Sequence, residues 1–506
     1  MGPRLLAAAV MLATSLACVS SAGTGAPPCD ALISAGLRHR LLLPTDDGYE
    51  DRILTWMSRT SRLHPWCLLL PETTAEVSSA MAALSNAGNG AGDWHIAIRS
   101  GGVSALGSNN IANGVTIDMS MMNSTRYNAA SNVAILQPGA RWSATYADLE
   151  AEGVVVVGGR DGSVGVGGFF LGGGTSYFTG TKGFGCDSVV NYEVVLGNGT
   201  IINANSSSNS DLWRALKGGG NNFGIVTRFD VEALPTRKLA YDLRYLFLSH
   251  YDTVVSTIAD FAAYNQSMGE SALIVLHMYR ASMGNDSAIG VIHINTAGDL
   301  DAQTSFNSIK QLPSLVNVTS LQSMAELASA PGLAMDGWSA GITLTFTSDP
   351  AILHHVAQVH ERYISSLKTT IGAENFMSVS ILQPIPLHYG QIGLKTGGNV
   401  LGLEDLKHPA VMWDGGVVVT SDAAAFAVAQ TGLHAMMAEI KAFAESVGGL
   451  VDLVYLNYAA ANQDPLGSYG AERVRFLREV AAKYDPEGVF QMRIPGGFKL
   501  TRVRGE

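Results

Sequence analysis

Charge is scarce in this 506-residue chain: Asp, Glu, Lys and Arg together make up 15% of it. Basic residues are the smaller share, 32 Lys and Arg against 43 Asp and Glu, for a formal net charge of −11. A chain of that sign is not a ligand for a phosphate backbone, so nucleic acid is excluded as a partner. Beyond the N-terminus there is no apolar run long enough to span a bilayer, so no membrane segment is expected. Several chemistries are missing as well. There is no HExxH, and His354, His355 and His360 have the wrong spacing for one helix face; they read as solvated, and no metal site is expected. There is no GxxxxGK[ST] loop for a mononucleotide. Two glycine runs only approach a dinucleotide fingerprint: GVGGFF places Phe170, and GGGNNF places Phe223, where the third glycine belongs. Cysteine is almost absent, with four residues.

What is present begins with MGPRLLAAAVMLATSLACVSSAG. Arg4 supplies a positive start, Leu5 to Val19 an apolar stretch, and Ser20-Ser21-Ala22 a small-residue cleavage site. This predicts a signal peptide over 1–22 and a secreted or secretory-lumen protein. Cys18 leaves with it. In an oxidising compartment two of Cys29, Cys67 and Cys186 should pair, and we expect Cys29–Cys67, with Cys186 a free buried thiol. Sequons at Asn123, Asn198, Asn205, Asn265, Asn285 and Asn317 make a glycoprotein plausible.

The pattern is mixed. TTAEVSSAMAALS predicts a helix opened by a Thr73/Glu76 capping box, with Val77, Met81 and Leu84 on one face. HIAIR, GVTIDMS and NVAILQPGA read as strands, WSATYADLEAEG as a helix stopped at Gly153, and SVVNYEVVLGNGTIINAN as a hairpin on Asn198-Gly199. From about residue 238 the glycine clusters stop, and runs such as ALIVLHMYRA, GITLTF and DPAILHHVAQVHERYISSL mark a second domain over 238–450. LVDLVYLNYAA reads as a strand. A helix through Val474, Leu477, Ala481 and Tyr484 follows, ended by Asp485-Pro486.

Glycine is the excess: 56 residues, about 11% where about 7% is usual. Three clusters, 101–107, 165–174 and 218–224, stand at strand ends. Together they point to one extended, phosphate-bearing ligand lying across three backbone nests. The motifs IRSGG-x-S-x-x-G, GxxGxVGVGGFxLGGG, DLWRALKGGGNNFGIVTRF, YLNYA and YDPEGVFQ, in that order from about Cys29 to the end, resemble the berberine-bridge-enzyme-like flavoproteins. These belong to the vanillyl-alcohol-oxidase/PCMH superfamily, and the fungal secreted FAD-linked oxidoreductases look most similar. The resemblance implies an α+β fold: a PCMH-type FAD-binding domain of two subdomains over 23–237, an α+β substrate domain with an antiparallel sheet over 238–450, and a segment over 451–506 returning to the FAD domain.

Carried onto this chain, the resemblance implies that Arg99, Ser100, Gly101, Gly102 and Ser104 hold the FAD pyrophosphate, with Gly107 and Ser108 continuing the loop. Val164, Gly165, Gly168, Gly172, Gly173 and Gly174 should lie along the cofactor, and Gly224, Ile225 and Val226 on its adenine-ribose side. Asn457 and Tyr458 should stand beside the isoalloxazine as the catalytic pair, with Tyr458 the candidate base; a strand would place them on opposite faces. The chain departs from the family twice. Val103 stands where a His usually carries the flavin, and Asp161 where bicovalent members have a Cys. Non-covalent FAD is therefore expected, with Val103 an apolar filler. The implied activity is oxidation of an alcohol or amine of a secondary metabolite, with hydride passing to flavin N5 and dioxygen as acceptor. A non-redox isomerase or cyclase on the same scaffold, an oligosaccharide oxidase, and a secreted binding protein without cofactor are the alternatives. The partners are a small-molecule substrate and dioxygen, and a monomer is expected.

Overall fold

A computed structural model describes residues 23–504 apart from 88–92, 106–107, 300, 302–305, 331 and 333–335. The expected signal peptide over 1–22, and Gly107, lie outside the described residues. Among the described residues three large sheets carry the fold, beside a two-stranded ribbon of Val154–Val155 with Leu234–Pro235. In the first, Cys67–Leu69 and His95–Arg99 flank Gly114–Asp118, both parallel to it, and Leu41–Leu42 adds an antiparallel edge. Parallel strands need a crossover, and the helix Thr74–Asn86 supplies it. Its start is the expected capping box: Thr73 Oγ1 accepts from Glu76 N at 3.2 Å and Glu76 Oε2 from Thr73 N at 3.3 Å. Val77, Ala80, Met81 and Leu84 are its buried face. The strand stops one residue sooner than its alternation predicts. Asp118 Oδ1 accepts from Ser120 N at 3.1 Å and turns Met119 into a 3₁₀ segment, Met119–Met121.

Cys29 and Cys67 are bonded, joining the helix Pro27–Ser34 to the first sheet, and Cys186 is free and buried, as expected. The second sheet is antiparallel, in the order Thr125–Asn128, Val133–Leu136, Ile225–Glu232, Val189–Val195, Ile201–Asn205. Its last two strands are the Asn198-Gly199 hairpin, with Gly199 at φ +86°.

The third sheet has eight strands, all antiparallel, with Ser271–Arg280, Phe376–Ile385, Ala410–Val419 and Trp338–Thr347 side by side in its middle. Alternation along these strands divides two cores. Leu273, Val275 and Tyr279 pack with the helices Tyr251–Ala262, Pro350–Thr370 and Ala423–Ser446, whereas Ile274, Leu276 and Met278 join the core shared with the second sheet. Both faces are covered, which is why ALIVLHMYRA reads as one apolar run. His360 belongs to the helix-side core. It is fully buried, its Nε2 2.8 Å from Ser378 Oγ, and not solvated as its spacing implied.

The run LVDLVYLNYAA is not a strand. Only Leu450–Val451 finds a partner, Phe346 and Thr345, and residues 456–458 form a turn. The alternation of Leu453 and Tyr455 reports burial in the shared core, with no ladder beside it. The helix Ala471–Tyr484 follows, and the chain then returns to the first sheet. Val489, Phe490 and Ile494 enter its core, Arg493 O accepts from Ile96 N at 2.7 Å, and the Arg493 guanidinium lies 4.5 Å over Trp94.

The disulfide closes a loop of 38 residues around the first sheet, a constraint of about 4 kcal/mol on the unfolded chain. Replacing Cys29 and Cys67 together by Ser is expected to lower the stability of this region by about 3–4 kcal/mol. Denaturant unfolding followed by tryptophan emission checks this, and a transition unchanged from wild type would contradict it.

Candidate active site

The glycine loops surround a cavity of about 580 Å³. At its floor two loops touch at Gly101 and Gly165. A Cβ on Gly101 would stand 2.5 Å from Gly165 N, and one on Gly165 would stand 2.3 Å from Gly101 N, so only glycine allows this approach. Arg141 clamps the pair, donating to Gly101 O at 2.6 Å and to Ser163 O. Ser100 Oγ stitches them again, donating to Pro138 O at 2.6 Å and accepting from Gly167 N at 3.2 Å.

Beneath this floor lies positive charge. Arg99 is buried and directs its guanidinium away from the cavity: Nη1 donates to Asp118 Oδ2 at 3.0 Å, Nη2 to Thr55 O at 3.0 Å, and the group lies 3.6 Å over Trp56. Arg52 donates to the same Asp118 oxygen at 2.6 Å. Burial pushes Arg99 down to about 10; Asp118 opposes this, while Arg52 and Arg141 add to it. Three guanidiniums thus crowd one carboxylate, just under Gly102, where a Cβ would meet Arg99 Nε at 2.7 Å. Arg99 is a charge behind the wall, not a wall residue.

The opposite side of the cavity is built by strand parity. On Ala410–Val419, Val411, Trp413 and Val417 face the helices, so Ala410, Met412 and Asp414 face the other way. Asp414 is half-buried and lines the cavity. Desolvation pushes its carboxyl up to about 7, against the pull of Arg160. Arg160 Nη2 donates to Tyr458 Oη at 2.9 Å and to Thr175 Oγ1 at 3.2 Å, and the two hydroxyls are 3.3 Å apart. The turn at 456–458 lets Asn457 and Tyr458 both face the cavity, where a strand would have separated them. Asn457 Nδ2 donates to Phe169 O at 3.1 Å and to Tyr455 Oη at 3.3 Å; Tyr455 Oη also accepts from Gly174 N at 2.8 Å.

Of the residues singled out from the sequence, Ser100 to Ser104, Ser108, Val164, Gly165, Gly168, Gly172, Gly224, Ile225, Val226, Asn457 and Tyr458 line this one cavity, as does Asp161. Gly173 and Gly174 do not: Gly173 packs toward Leu401 and Tyr455, and Gly174 is tied to Tyr455. Arg160, Thr175 and Asp414 were not read from the sequence. Asp414 did leave a signal, a lone carboxylate inside the apolar run AVMWDGGVVV. Asn221 and Phe498 close the far end. There Lys499 donates to Asn221 O at 3.1 Å and Oδ1 at 3.0 Å, and burial pushes its amine down to about 7. One Gly-x-Ser-x-Gly does occur, Gly337 to Gly341. It is no nucleophile elbow, because Ser339 sits within the strand Trp338–Thr347 and not on a strand-to-helix turn.

A family model for an FAD binding domain matches residues 65–205. The chain is 32% identical over 484 residues to the FAD-dependent monooxygenase drtC of Aspergillus calidoustus, covering 94% of this chain and 90% of that one. It shares its fold with berberine bridge enzyme from Eschscholzia californica, at a TM-score of 0.73 and 18% identity over 92% of this chain and 97% of that one. The xylooligosaccharide oxidase of Myceliophthora thermophila C1, solved with xylobiose, gives a TM-score of 0.72 at 18% identity, covering 95% and 100%. With that identity over nearly the whole of both sequences, the chain belongs to the FAD-dependent oxidoreductases that include drtC, and it carries the fold of berberine bridge enzyme.

Proposed function

We propose that this flavoenzyme oxidises a hydroxyl-bearing secondary metabolite, with Asp414 as the base and dioxygen as the electron acceptor. The observation that carries the reading is that a carboxylate raised to about 7 shares one cavity with the glycine loops. Bound FAD supplies hydride acceptance and reaction with dioxygen. The residues present fit it. The Gly101–Gly165 floor brings backbone close to an extended ligand, and the excess of guanidinium over carboxylate beneath has the sign a pyrophosphate requires. Ser100 to Ser104 and Ser108 would hold the pyrophosphate, and Gly224 to Val226 the adenine side. Val103 offers no nucleophile, so the cofactor is held without a covalent bond there. The site's polar groups divide the work. Asp414 takes the substrate proton, and Tyr458, whose Oη accepts from Arg160, orients the substrate in place of acting as the base. The leader-like N-terminus, the disulfide and exposed sequons such as Asn123, Asn265 and Asn317 support a secreted glycoprotein. Hydrogen peroxide yield against oxygen incorporated into product separates an oxidase from the monooxygenase activity by which drtC is named.

Three outcomes are expected. Acid precipitation should release all the FAD; yellow colour retained in the pellet would show a covalent bond. Gly165→Ala should reduce bound FAD by about tenfold or more, because its methyl must push the two loops apart. FAD content equal to that of wild type would remove the role given to the loop contact. Asp414→Asn should lower kcat/KM by about 10²–10⁴-fold. The base works ionised, so wild-type kcat/KM should fall as pH drops through about 7, and this limb should vanish in Asp414→Asn. Tyr458→Phe should cost less and keep the limb; the reverse ranking would return the base to Tyr458.

A further inference from the structure

The eight-stranded sheet has two edges, and they are finished differently. On the outer side of Trp338–Thr347, Ser58 Oγ accepts from Ser339 N at 3.1 Å and Gln463 Oε1 from Thr343 N at 3.1 Å. Gln463 Nε2 donates to Thr343 O at 2.6 Å, and the short strand Leu450–Val451 covers the end. The other edge is Ser314–Gln322, nine residues paired along one side to Leu239–Leu246. Among the described residues no backbone hydrogen bond leaves its outer side. An open edge of that length is a template for a further strand, and its usual protections are charge, proline or brevity. SLVNVTSLQ has none of them, and its one irregularity, a register shift between Tyr245 and Leu246, lies at the Ser314 end. The strand is instead apolar and β-branched. Leu315 is 53% and Leu321 59% exposed on one face, and Val316 and Val318 are exposed on the other.

The sequon Asn317-Val318-Thr319 occupies the middle of this strand. Asn317 and Thr319 are exposed, on the same face as Leu315 and Leu321. Thr319 Oγ1 donates to the buried Asp242 Oδ2 at 3.0 Å, whereas Asn317 Nδ2, the atom that accepts a glycan, makes no hydrogen bond. The sequon at Asn205 differs, because its Nδ2 is spent on Asn191 Oδ1 at 3.0 Å. Resting on the secreted-glycoprotein reading above, we propose that Asn317 carries an N-glycan and that this glycan is the protection of the sheet's open edge. In the transfer, Asn317 Nδ2 loses one hydrogen as a proton and bonds to the anomeric carbon of the first N-acetylglucosamine. The bond from that carbon to the lipid-diphosphate donor of the secretory pathway breaks, and the diphosphate leaves with the electron pair. A bulky, hydrated group there splits the free edge into Ser314–Val316 and Val318–Gln322, short runs that pair weakly. The strand thereby refused is the same edge of a second copy of this chain.

The test secretes the full chain from a eukaryotic host. Peptide mapping after peptide-N-glycosidase treatment in heavy-oxygen water reports, sequon by sequon, which Asn carried sugar. Asn317 should be occupied in most molecules, and light scattering should give a monomer. Asn317→Gln should keep its FAD, read from the visible spectrum, yet form dimers or larger species as its concentration is raised. Adding Val318→Lys to Asn317→Gln should restore the monomer, because charge is the other protection of an edge. Thr319→Ser, which keeps both sequon and hydroxyl, should behave as wild type. Asn317 bare while Asn123 or Asn265 is occupied would overturn this proposal alone; no occupied sequon would overturn the glycoprotein reading with it. Asn317→Gln that stays monomeric, or association that Val318→Lys does not relieve, would remove the role given to the glycan. Loss of FAD from Asn317→Gln would make the side chain a structural one and overturn the proposal too.

Discussion

The backbone contact between Gly101 and Gly165 is the constraint on which the rest of the site depends. One loop leaves the parallel sheet and the other precedes a short helix of the second sheet's layer, so their contact sets the two layers' separation at the cavity floor. Nothing at the contact itself is attractive beyond van der Waals packing. The attraction comes from Arg141, which reaches the carbonyl oxygens of Gly101 and Ser163 and so ties both loops to one rigid group, and from Ser100 Oγ, which accepts from Gly167 N. Positioning by a buried guanidinium is stiff because its planar fork loses little freedom per hydrogen bond formed.

That choice gathers charge. Arg141 stands near Arg99 and Arg52, which share Asp118, and burial penalises all of it unless something negative arrives. The same logic recurs at the reacting end, where Arg160 and Asp414 face each other across open space without pairing. The floor therefore carries an excess of positive charge, whereas the reacting end carries both signs held apart. A site of this kind trades some stability of the empty fold for selectivity.

Much of this was legible in the residues. Thr73 and Glu76, three apart before an apolar face, announce a helix because their hydrogen bonds are local. The Asn198-Gly199 turn and the glycine clusters are legible for the same reason: the backbone angles they require can be read at each residue separately. The ambiguous signals were those that depend on a partner. Val115 and Ile117 alternate correctly, yet every residue of Gly114–Asp118 is buried, because the strand is covered on both faces. Leu453 and Tyr455 alternate as in a strand but have no neighbour to pair with. The turn that results brings Asn457 and Tyr458 onto one wall.

By itself the sequence determined the chemistry of the loops, the family, the cysteine pair and the absence of a histidine at position 103. Each is a property of residue identity or short spacing. Tertiary structure alone decided that Arg99 serves from behind the wall, that Tyr455 holds Gly174, that Arg160 and Thr175 meet Tyr458, and that Asp414 lines the same cavity. Arg160 and Tyr458 are 298 residues apart in the chain and 2.9 Å apart in space. No local pattern encodes such a meeting, because it is set by the register of the eight-stranded sheet and the packing of that sheet on the glycine loops.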